Sequence, residues 1–389
     1  VNEHMDTLSG ISVNEDMIRK YNYSEYFSSI IGYTGPISES EYTALHKKNE
    51  DYTQNDTVGK AGLEQYYETY LRGKNGERKF YIDNVGRISE IISSTDSVAG
   101  DDLYLSIDAD LQMATYLALQ NEIAAIVYSN IKSGEIPIND VYTALIGNSV
   151  INTEHFSKSK ASDTEKSVLS VFKSRQKTTL GKIKQELTSS PEALNTMSDE
   201  VLDEFTYIIS MLKDDQVLLK NEIDTSDSVY QKWKDQKISP KEYLNYCITQ
   251  HWIDISQLNV DEKYADSTEV YDALCKYILK NIKTDTEFSK IIYQYMITRG
   301  EISPRQLCLI LFDQGVLDYD DATVNKLKNG SLSPRDFLMK KIYNIEITPA
   351  QLALEPCTGS CVVTDEKTGE IRAMVSYPGY NSNKLANGV

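Results

Sequence analysis

The pattern of hydrophobic and polar positions divides the chain into a mixed beginning, a long helical middle and a β-rich end. Near the C-terminus, Cys361–Thr364 and Ile371–Ser376 are apolar and rich in residues that favour strands, and turn-forming residues 365–369 separate them. Two such runs joined by a short turn predict a β-hairpin. Pro378 is expected to end the pairing, because proline has no N–H to donate to a strand ladder.

Residues 1–100 show short apolar runs between turn signals, which predicts a small α+β region. We expect extended segments at Phe27–Tyr33, Arg78–Asn84 and Arg87–Ile92. One helix is expected at Gly62–Leu71. Its apolar face would carry the following residues: Leu63, Tyr66, Tyr67, Tyr70 and Leu71.

The pattern changes at Asp101. Leu103, Leu105 and Ile107 alternate with polar residues, as in a strand with one buried face. Asp108 follows, and its short carboxylate suits the N-cap of a helix over Leu111–Ile126. We therefore expect a strand followed directly by a helix.

Residues 127–352 have helical spacing almost throughout. Three apolar stripes carry this prediction: Val201, Leu202, Phe205, Ile208, Ile209 and Leu212; Tyr243, Leu244, Cys247, Ile248 and Trp252; and Phe288, Ile291, Ile292, Tyr295 and Met296. The Ser- and Lys-rich stretch Ser157–Lys177 is expected to be weakly packed or mobile.

A helix-to-helix joint recurs in this middle region. It combines a helix-ending residue, often glycine, with Ser or Thr to cap the next helix and Pro in the first turn. It occurs at the following places: Gly134–Pro137, Lys237–Pro240, Gly300–Pro304, Gly330–Pro334 and Ile347–Pro349. The spacing of these joints is irregular, so we predict an array of helical hairpins and not a true solenoid.

The charge balance restricts the possible partners. The chain has 58 acidic and 40 basic residues and a net charge of −18. Nucleic acid is excluded as a partner, since its phosphates require a basic face. No run of about 18 apolar residues occurs, so the sequence predicts no membrane span.

The potential metal ligands do not form a recognisable set, so no metal and no cofactor is predicted. The four histidines are far apart in the sequence, and Cys247, Cys275 and Cys308 lie on apolar helical faces as small core residues. His251 beside Trp252 is interpreted as a core residue. Asp318–Asp321 begins like a calcium loop, but the required glycine and bidentate glutamate are replaced, which favours a helix N-terminus.

Three blocks of sequence follow one another along the chain: Ile30–Glu39 with Val58–Glu68 and Leu71–Gly73; Gly100–Asp108 with Leu111–Gln112; and the C-terminal hairpin with Tyr377–Asn383. In this order they resemble class B penicillin-binding proteins, most closely the elongation-type branch, and Tyr377–Asn383 is similar to the family's Pro-x-Tyr/Phe-Asp/Asn-x-Asn. Three motifs in the family's order make the resemblance specific.

The resemblance implies an α+β fold with four parts. Residues 1–100 would be the pedestal, a non-catalytic dimerisation-type domain. Residues 101–126 would supply the first strand and helix of a transpeptidase domain, and residues 353–389 its first hairpin, truncated. Residues 127–352 would be a large helical insertion between them. The matching segment Gly62–Glu64 is structural in that family.

The catalytic boxes of that family do not occur here in the required order. A serine and a lysine must share one helical turn, as in Ser-x-x-Lys, with Ser-x-Asn and Lys-Thr-Gly following. Ser157–Lys160 and Ser174–Lys177 match the first box, but both lie in a polar stretch that cannot lower the pKa of an amine. Ser12–Asn14 precedes both, and Lys367–Gly369 lies in the predicted hairpin turn. We assign no catalytic residue and expect this chain to be inactive.

The resemblance implies a parent protein that cross-links peptidoglycan on the outer side of the cell membrane, held by an anchor upstream of these residues. Its partners would be peptidoglycan and a membrane protein that polymerises lipid II. This chain would position the transpeptidase domain and dock partners. Two alternatives remain: a helical binding module that recognises peptidoglycan or a regulatory protein, and a hydrolase that uses Ser157 or Ser174. Among the aromatic residues of the middle region (Tyr230, Trp233, Tyr243, Tyr246 and Trp252), core packing is favoured over glycan binding.

Overall fold

The computed structural model describes residues 18–82, 88–189, 192–258, 260 and 265–386. Ser12–Asn14, Asn84, Arg87 and His4, which entered the sequence predictions, lie outside these residues.

The elements, in chain order, fall into three groups. The first group is α1 (Ser24–Ile31), β1 (Thr34–Pro36), α2 (Glu39–His46), β2 (Thr57–Gly59), α3 (Gly62–Tyr66), α4 (Glu68–Leu71), β3 (Glu77–Ile82), β4 (Ile88–Thr95) and α5 (Ala109–Ser133). The second group is α6 (Ile138–Gly147), α7 (Asp163–Thr188), α8 (Asp199–Asp214), α9 (Ser228–Lys234), α10 (Pro240–Thr249), α11 (Ser267–Ile282), α12 (Thr286–Thr298), α13 (Pro304–Asp313), α14 (Asp321–Asn329), α15 (Pro334–Tyr343) and α16 (Pro349–Leu352). The third group is β5 (Gly359–Thr364), β6 (Ile371–Tyr377) and α17 (Ser382–Ala386).

These elements form two compact units. Unit 1 comprises residues 1–123 and 355–389, and unit 2 comprises residues 124–354. Unit 1 contains helices and antiparallel strand pairs, whereas the regular elements described in unit 2 are helices and one isolated β-bridge. The chain is therefore a mixed α+β protein, as the pattern predicts, and the division falls inside α5.

The C-terminal hairpin forms as predicted. β5 and β6 pair antiparallel with Cys361 opposite Val375, and Asp365–Gly369 make the turn. Gly369 has φ 76°, which glycine adopts without a steric cost. Ala373, Val375 and Tyr377 of β6 are buried, so one face of the hairpin belongs to the core of unit 1.

The prediction of an extended segment at Phe27–Tyr33 is wrong, since residues 24–31 form α1. The aromatic and β-branched residues favour strands locally, but packing overrides that preference. Ser28 and Ile30 are buried on one side of the helix, and Gly32 (φ 81°) ends it by donating its N–H to the Ser28 carbonyl.

The helix predicted at Gly62–Leu71 is two short helices that break at Tyr67. The predicted inner face is also wrong, because Tyr66 is 79% and Tyr70 61% exposed. The buried side chains are instead the two glutamates Glu64 and Glu68. A periodicity rule that places carboxylates in solvent cannot anticipate this arrangement, which depends on partners elsewhere in unit 1.

The strand predicted at Leu103–Ile107 does not form: these residues are irregular and their large side chains remain partly exposed. The segment does lie against β6, since the Ser106 hydroxyl donates to the Ile371 carbonyl at 2.8 Å and Asp108 N donates to the Arg372 carbonyl at 2.9 Å. The predicted N-cap is confirmed, because the Asp108 carboxylate accepts the N–H of Leu111 at 2.9 Å.

Unit 2 confirms most of the predicted joints. Ser239, Ser303, Ser333 and Thr348 each cap the next helix through the side-chain oxygen, with proline in its first turn. The first joint differs, since Pro137 itself occupies the N-cap position of α6 and contributes no side-chain hydrogen bond.

The joints are more regular than the sequence indicates, so the prediction of irregular spacing is wrong for their C-terminal part. Residues with left-handed backbone end four successive helices at every fifteenth position: Gly300, Gly315, Gly330 and Ile345. At each turn the amide two residues later donates to the carbonyl six residues before it, as Leu317 does to Leu311. The Ser/Thr-Pro pattern does not reveal this period, because the helix after the turn at Gly315, α14, is capped by Asp320 and has no proline in its first turn.

The Ser- and Lys-rich stretch is also better packed than expected. Residues 163–188 form α7, which begins with a capping box between Ser162 and Glu165. Val168 and Phe172 are buried, and the Phe172 ring stacks on Tyr293 with 4.2 Å between centroids. The polar composition reflects the exposed face of one long helix.

Candidate functional site

The candidate functional site is a structural joint in unit 1, where segments far apart in the chain are fastened together. We call it the N–C joint and define it as residues 21–34, 112–116 and 374–383. It joins α1 and its flanks, the first turns of α5, and the end of the C-terminal hairpin.

Polar pairs link the two ends of the chain directly. Tyr21 N donates to Asn383 Oδ1 at 2.8 Å, and Asn383 Nδ2 donates to the Tyr21 carbonyl at 2.9 Å. Ser382 N donates to Ser24 Oγ at 2.6 Å. Such reciprocal bonds to backbone groups fix the register of one segment against the other.

Tyr380 adds two more hydrogen bonds, both to Ser28 of α1. Its N–H donates to Ser28 Oγ at 3.0 Å, and its hydroxyl donates to the Ser28 carbonyl at 2.8 Å. The Tyr380 ring also meets Tyr33 edge to face, with 6.0 Å between centroids. Ser28 is 2% exposed, so these bonds lie in the interior of unit 1.

Gly379 sits where the tail of the hairpin meets α1. A Cβ on Gly379 would meet the carbonyl oxygen of Glu25 at 1.8 Å, which no side chain can tolerate. The Tyr116 hydroxyl accepts from Gly379 N at 3.2 Å and donates to Glu25 Oε1 at 3.1 Å. Burial raises the pKa of the Tyr116 phenol well above its ordinary value, so the hydroxyl keeps its proton and can donate.

Gln112 completes the joint from α5. Its amide exchanges two hydrogen bonds with the backbone of Met374 and donates a third to the Tyr26 carbonyl. The side chain is completely buried. One amide thus holds all three segments of the N–C joint.

A second cluster in unit 1 shows why the first sequence block contains glycines at positions with no room for a side chain. Gly32 and Gly62 approach so closely that a Cβ on Gly32 would meet the Ala61 carbonyl oxygen at 1.9 Å. Glu68 accepts from Gly59 N at 2.7 Å and from the Tyr52 hydroxyl at 3.3 Å.

Glu64 belongs to the same cluster, and its Oε1 lies 3.2 Å from Arg19 Nε in an ion pair. Burial raises the pKa of the Glu64 carboxyl, while the Arg19 charge opposes that rise. These carboxylates are committed to backbone and ion-pair contacts, which is a structural role.

The two Ser-x-x-Lys strings do not form a reactive pair. Ser157 ends a short 3₁₀ helix, and its hydroxyl donates to the Glu154 carbonyl at 2.9 Å. Lys158 is extended, so Ser157 and Lys160 do not share a helical turn. Ser174 and Lys177 do share a turn of α7, but both are exposed. Neither string places its lysine in buried surroundings.

Lys367–Gly369 lie in the hairpin turn, as predicted. Asp365 Oδ1 accepts from the N–H groups of Lys367 and Thr368 at 2.8 and 3.1 Å. These backbone bonds lower the pKa of the Asp365 carboxyl. The triplet therefore shapes a turn.

Residues considered as metal ligands have other roles. Among the described residues, no three His, Cys, Asp or Glu side chains gather as a metal site. Asp320 caps α14 by accepting from Ala322 N and Thr323 N, as predicted for a helix N-terminus. The core assignment of His251 is wrong, since it is exposed and occupies a left-handed turn position (φ 58°).

Cys247, Cys275 and Cys308 are buried, as the core assignment predicts, and so are two of the five aromatic residues, Tyr243 and Trp252. Burial raises the pKa of the Cys247 and Cys308 thiols to about 12, and all five cysteines are unpaired. Tyr243 is fully buried and stacks on Trp233, with 4.5 Å between centroids. Trp252 is also buried.

Comparison with known proteins identifies relatives of the first part of the chain. Residues 1–105 match the family model of the penicillin-binding protein dimerisation domain. The peptidoglycan D,D-transpeptidase MrdA of Salmonella typhimurium LT2 is 31% identical over 130 residues, which cover 33% of this chain and 21% of the relative. Penicillin-binding protein 2A of Bacillus subtilis is 32% identical over 127 residues, covering 32% of this chain and 18% of the relative.

In its N-terminal third, this chain is related to the class B penicillin-binding proteins of the elongation type. MrdA of Escherichia coli K12 is 30% identical over 129 residues, 33% of this chain and 20% of the relative. The chain thus matches about a fifth of the length of these curated relatives. None of the helices in the described residues is long and apolar enough to span a bilayer.

The sequence indicated only one side of the N–C joint. Tyr380 and Asn383 belong to the third block that resembles the penicillin-binding proteins, and Gln112 belongs to the second. Ser24 and Ser28 carry no motif, and residues 27–33 were expected to be extended. Ser24 and Ser28 belong to the N–C joint only because Ser382 and Tyr380 contact them, and no local sequence pattern indicates such a contact.

Proposed function

We propose that this chain is the non-catalytic N-terminal part of a penicillin-binding protein that cross-links peptidoglycan in cell-wall synthesis. Its role is to position the transpeptidase domain and to dock partners. Residues 1–100 act as the pedestal, and residues 101–126 with 353–389 contribute the opening elements of the transpeptidase fold. Residues 127–352 are a helical insertion between those elements.

The N–C joint is the observation that carries this proposal. A module whose task is positioning must hold the catalytic fold by contacts that fix orientation, and buried reciprocal hydrogen bonds do so better than apolar contacts. Asn383, Tyr380 and Gln112 supply such bonds to α1 and its flanks. Movement of the pedestal would therefore be transmitted to the end of the hairpin.

The wider setting follows from the same proposal. The parent protein works at the outer side of the cell membrane, held by an anchor upstream of these residues. Its substrate is peptidoglycan, and its partner is a membrane protein that polymerises lipid II. The relatives named peptidoglycan D,D-transpeptidase support the substrate.

Acylation by a fluorescent penicillin tests the non-catalytic part of this proposal. We expect no covalent adduct on the intact chain, because neither Ser157 nor Ser174 has a buried lysine beside it. An active penicillin-binding protein in the same reaction is the positive control. An adduct that disappears in Ser157→Ala or Ser174→Ala would contradict the proposal and favour a hydrolase.

A second candidate function is a binding module in unit 2 that recognises peptidoglycan or a regulatory protein. A cavity of about 460 Å³ in unit 2, between the beginnings of two helices, favours it. Sedimentation of the whole chain with insoluble peptidoglycan tests this alternative. Retention of the chain in the pellet, competed by soluble fragments, supports it, and an unchanged supernatant contradicts it.

A further inference from the structure

Arg175 of α7 takes part in an ion-pair cluster that joins three helices of unit 2. Its Nη2 donates to both carboxylate oxygens of Glu200, in the first turn of α8, at 2.8 and 3.0 Å. Arg299, the residue that follows α12, donates to the same carboxylate at 2.6 Å. Glu301 also approaches Arg175, with 3.6 Å between its Oε1 and Arg175 Nη1. Glu200 is 3% exposed, so the centre of this cluster is buried.

The Arg175 side chain has one donor that the structure leaves unused. Its Nε atom is buried and has no hydrogen-bond partner in the described part of the chain. A buried N–H without an acceptor costs free energy, and such groups are rare in folded proteins. The donors of a guanidinium group lie in one plane and point in several directions. A rotation of Arg175 can therefore bring Nε to a second acceptor beside Glu200.

Glu204 is suited to be that acceptor. It lies one turn of α8 after Glu200, on the same side of the helix, and is 2% exposed. The ion pairs of the cluster go to Glu200 and Glu301, and within the described residues none goes to Glu204. Burial, followed by the charge of Glu200, raises the pKa of the Glu204 carboxyl to about 8. Glu204 therefore changes its charge in a pH range in which Arg175 stays protonated.

The surroundings of Glu204 favour a partner on α7. The charged side chains around it, directly or through Glu200 and Arg175, are the following: Lys182 and Arg175 of α7, Glu200 and Asp203 of α8, and Arg299 and Glu301 just after α12. Lys182 is exposed, so Arg175 is the buried cation of α7 that a charged Glu204 can use. The helix α11 also packs on α8, but its hydrogen bond from Tyr277 to Asp215 lies about three turns beyond Glu204.

We propose that Arg175 and Glu204 form a proton-linked switch in unit 2. While Glu204 is protonated, Arg175 donates to Glu200, and its Nε stays without an acceptor. When Glu204 releases its proton to solvent, Arg175 rotates so that Nε donates to the new carboxylate, and Glu200 keeps Arg299. The start of α8 is then held to α7 by a different pair of residues. The switch stands on the geometry of this cluster and does not depend on the function proposed for the chain.

Carbon-detected NMR of the whole chain, labelled with ¹³C- and ¹⁵N-arginine, tests the switch. The correlation between Cζ and Nε follows each arginine without relying on a proton that exchanges with water, and Arg175→Lys identifies the Arg175 signal by its loss. Arginine itself does not titrate in this range, so a movement of its signal reports a change of partner. We expect the Arg175 signal to move between about pH 6 and about pH 9, with its midpoint at about 8.

Glu204→Gln keeps the size of the side chain and removes the titrating proton, so the Arg175 signal is expected to stay fixed in this variant. Asp199→Asn is the matched control, because it removes an exposed carboxyl from the first turn of the same helix. It is expected to leave the titration of the Arg175 signal unchanged. Circular dichroism at both ends of the pH range checks that each protein stays folded.

Two results would overturn the switch outright: an Arg175 signal that is constant across the range, or one that titrates equally in Glu204→Gln. Loss of the movement in Asp199→Asn would also overturn it, because the signal would then respond to the general charge of α8 and not to Glu204.

Discussion

Gln112 and Met374 are paired through a reciprocal amide bond, although 262 positions separate them. Gln112 Oε1 accepts from Met374 N at 2.8 Å, and Gln112 Nε2 donates to the Met374 carbonyl at 2.9 Å. The side chain thus replaces a neighbouring strand at the edge of β6. This pairing provides what the predicted strand at residues 103–107 was expected to supply.

Replacing Gln112 by alanine is therefore expected to destabilise unit 1. The change removes three hydrogen bonds, two to the Met374 backbone and one to the Tyr26 carbonyl, at a cost of roughly 2–4 kcal/mol. Denaturant unfolding measures the loss. Asn121→Ala is the control in the same helix, since Asn121 is exposed and bonds the Leu117 carbonyl. Equal stability of Gln112→Ala and Asn121→Ala would show that the pairing contributes little.

Glu204 makes the stability of unit 2 depend on pH. It is 2% exposed, and burial followed by the charge of Glu200 raises its carboxyl pKa to about 8. Lys182 and Arg175 oppose that rise, and Asp203 adds to it. The folded protein therefore holds a proton that the unfolded chain releases near its ordinary pKa.

The free energy of unfolding is expected to fall as pH rises from about 5 to about 8, because deprotonation then favours the unfolded chain. Glu204→Gln carries no titrating proton at this position. Relative to that variant, the wild type is expected to lose on the order of 2–4 kcal/mol across the window. Urea unfolding at a series of pH values measures the difference. Parallel curves for wild type and variant would contradict a raised pKa.

Local signals were enough to predict the parts of the fold that depend on nearby residues. The hairpin was predicted from the β-rich runs on either side of Asp365–Gly369, and the N-cap at Asp108 from one carboxylate before a helical stripe. The helix joints were predicted from Ser or Thr before Pro. In each case the residues that form the sequence pattern are the ones that make the hydrogen bonds of the element.

The N–C joint and the buried glutamates could not be predicted in this way. Ser28 and Glu68 are buried because distant residues reach them, namely Tyr380 and Tyr52. The fifteen-residue period was hidden for another reason. It is carried by backbone conformation at Gly315 and Ile345, which different residue types can adopt.

Unit 2 is expected to fold without unit 1. Its helices bury their apolar stripes against one another, and Leu145, Phe205, Phe288 and Leu311 have essentially no exposed surface. Residues 124–354, expressed separately, should give a helical circular-dichroism spectrum and one cooperative melt. Residues 1–123 alone lack the hairpin that pairs with Gln112, and are expected to melt without cooperativity. A disordered or aggregated 124–354 fragment would contradict an autonomous insertion.

The N–C joint holds residues 21–34 and 374–383 together as one structural element, and a substitution at Gly379 tests this most directly. Gly379→Ala would push a methyl group into the Glu25 carbonyl, while Gly181→Ala in α7 meets nothing within 4 Å and serves as control. The measurement is amide hydrogen exchange on the whole chain, compared between segments 21–31 and 371–386. We predict that Gly379→Ala accelerates exchange in both segments together and that Gly181→Ala alters neither. Faster exchange confined to 371–386, with 21–31 still protected, would contradict the account.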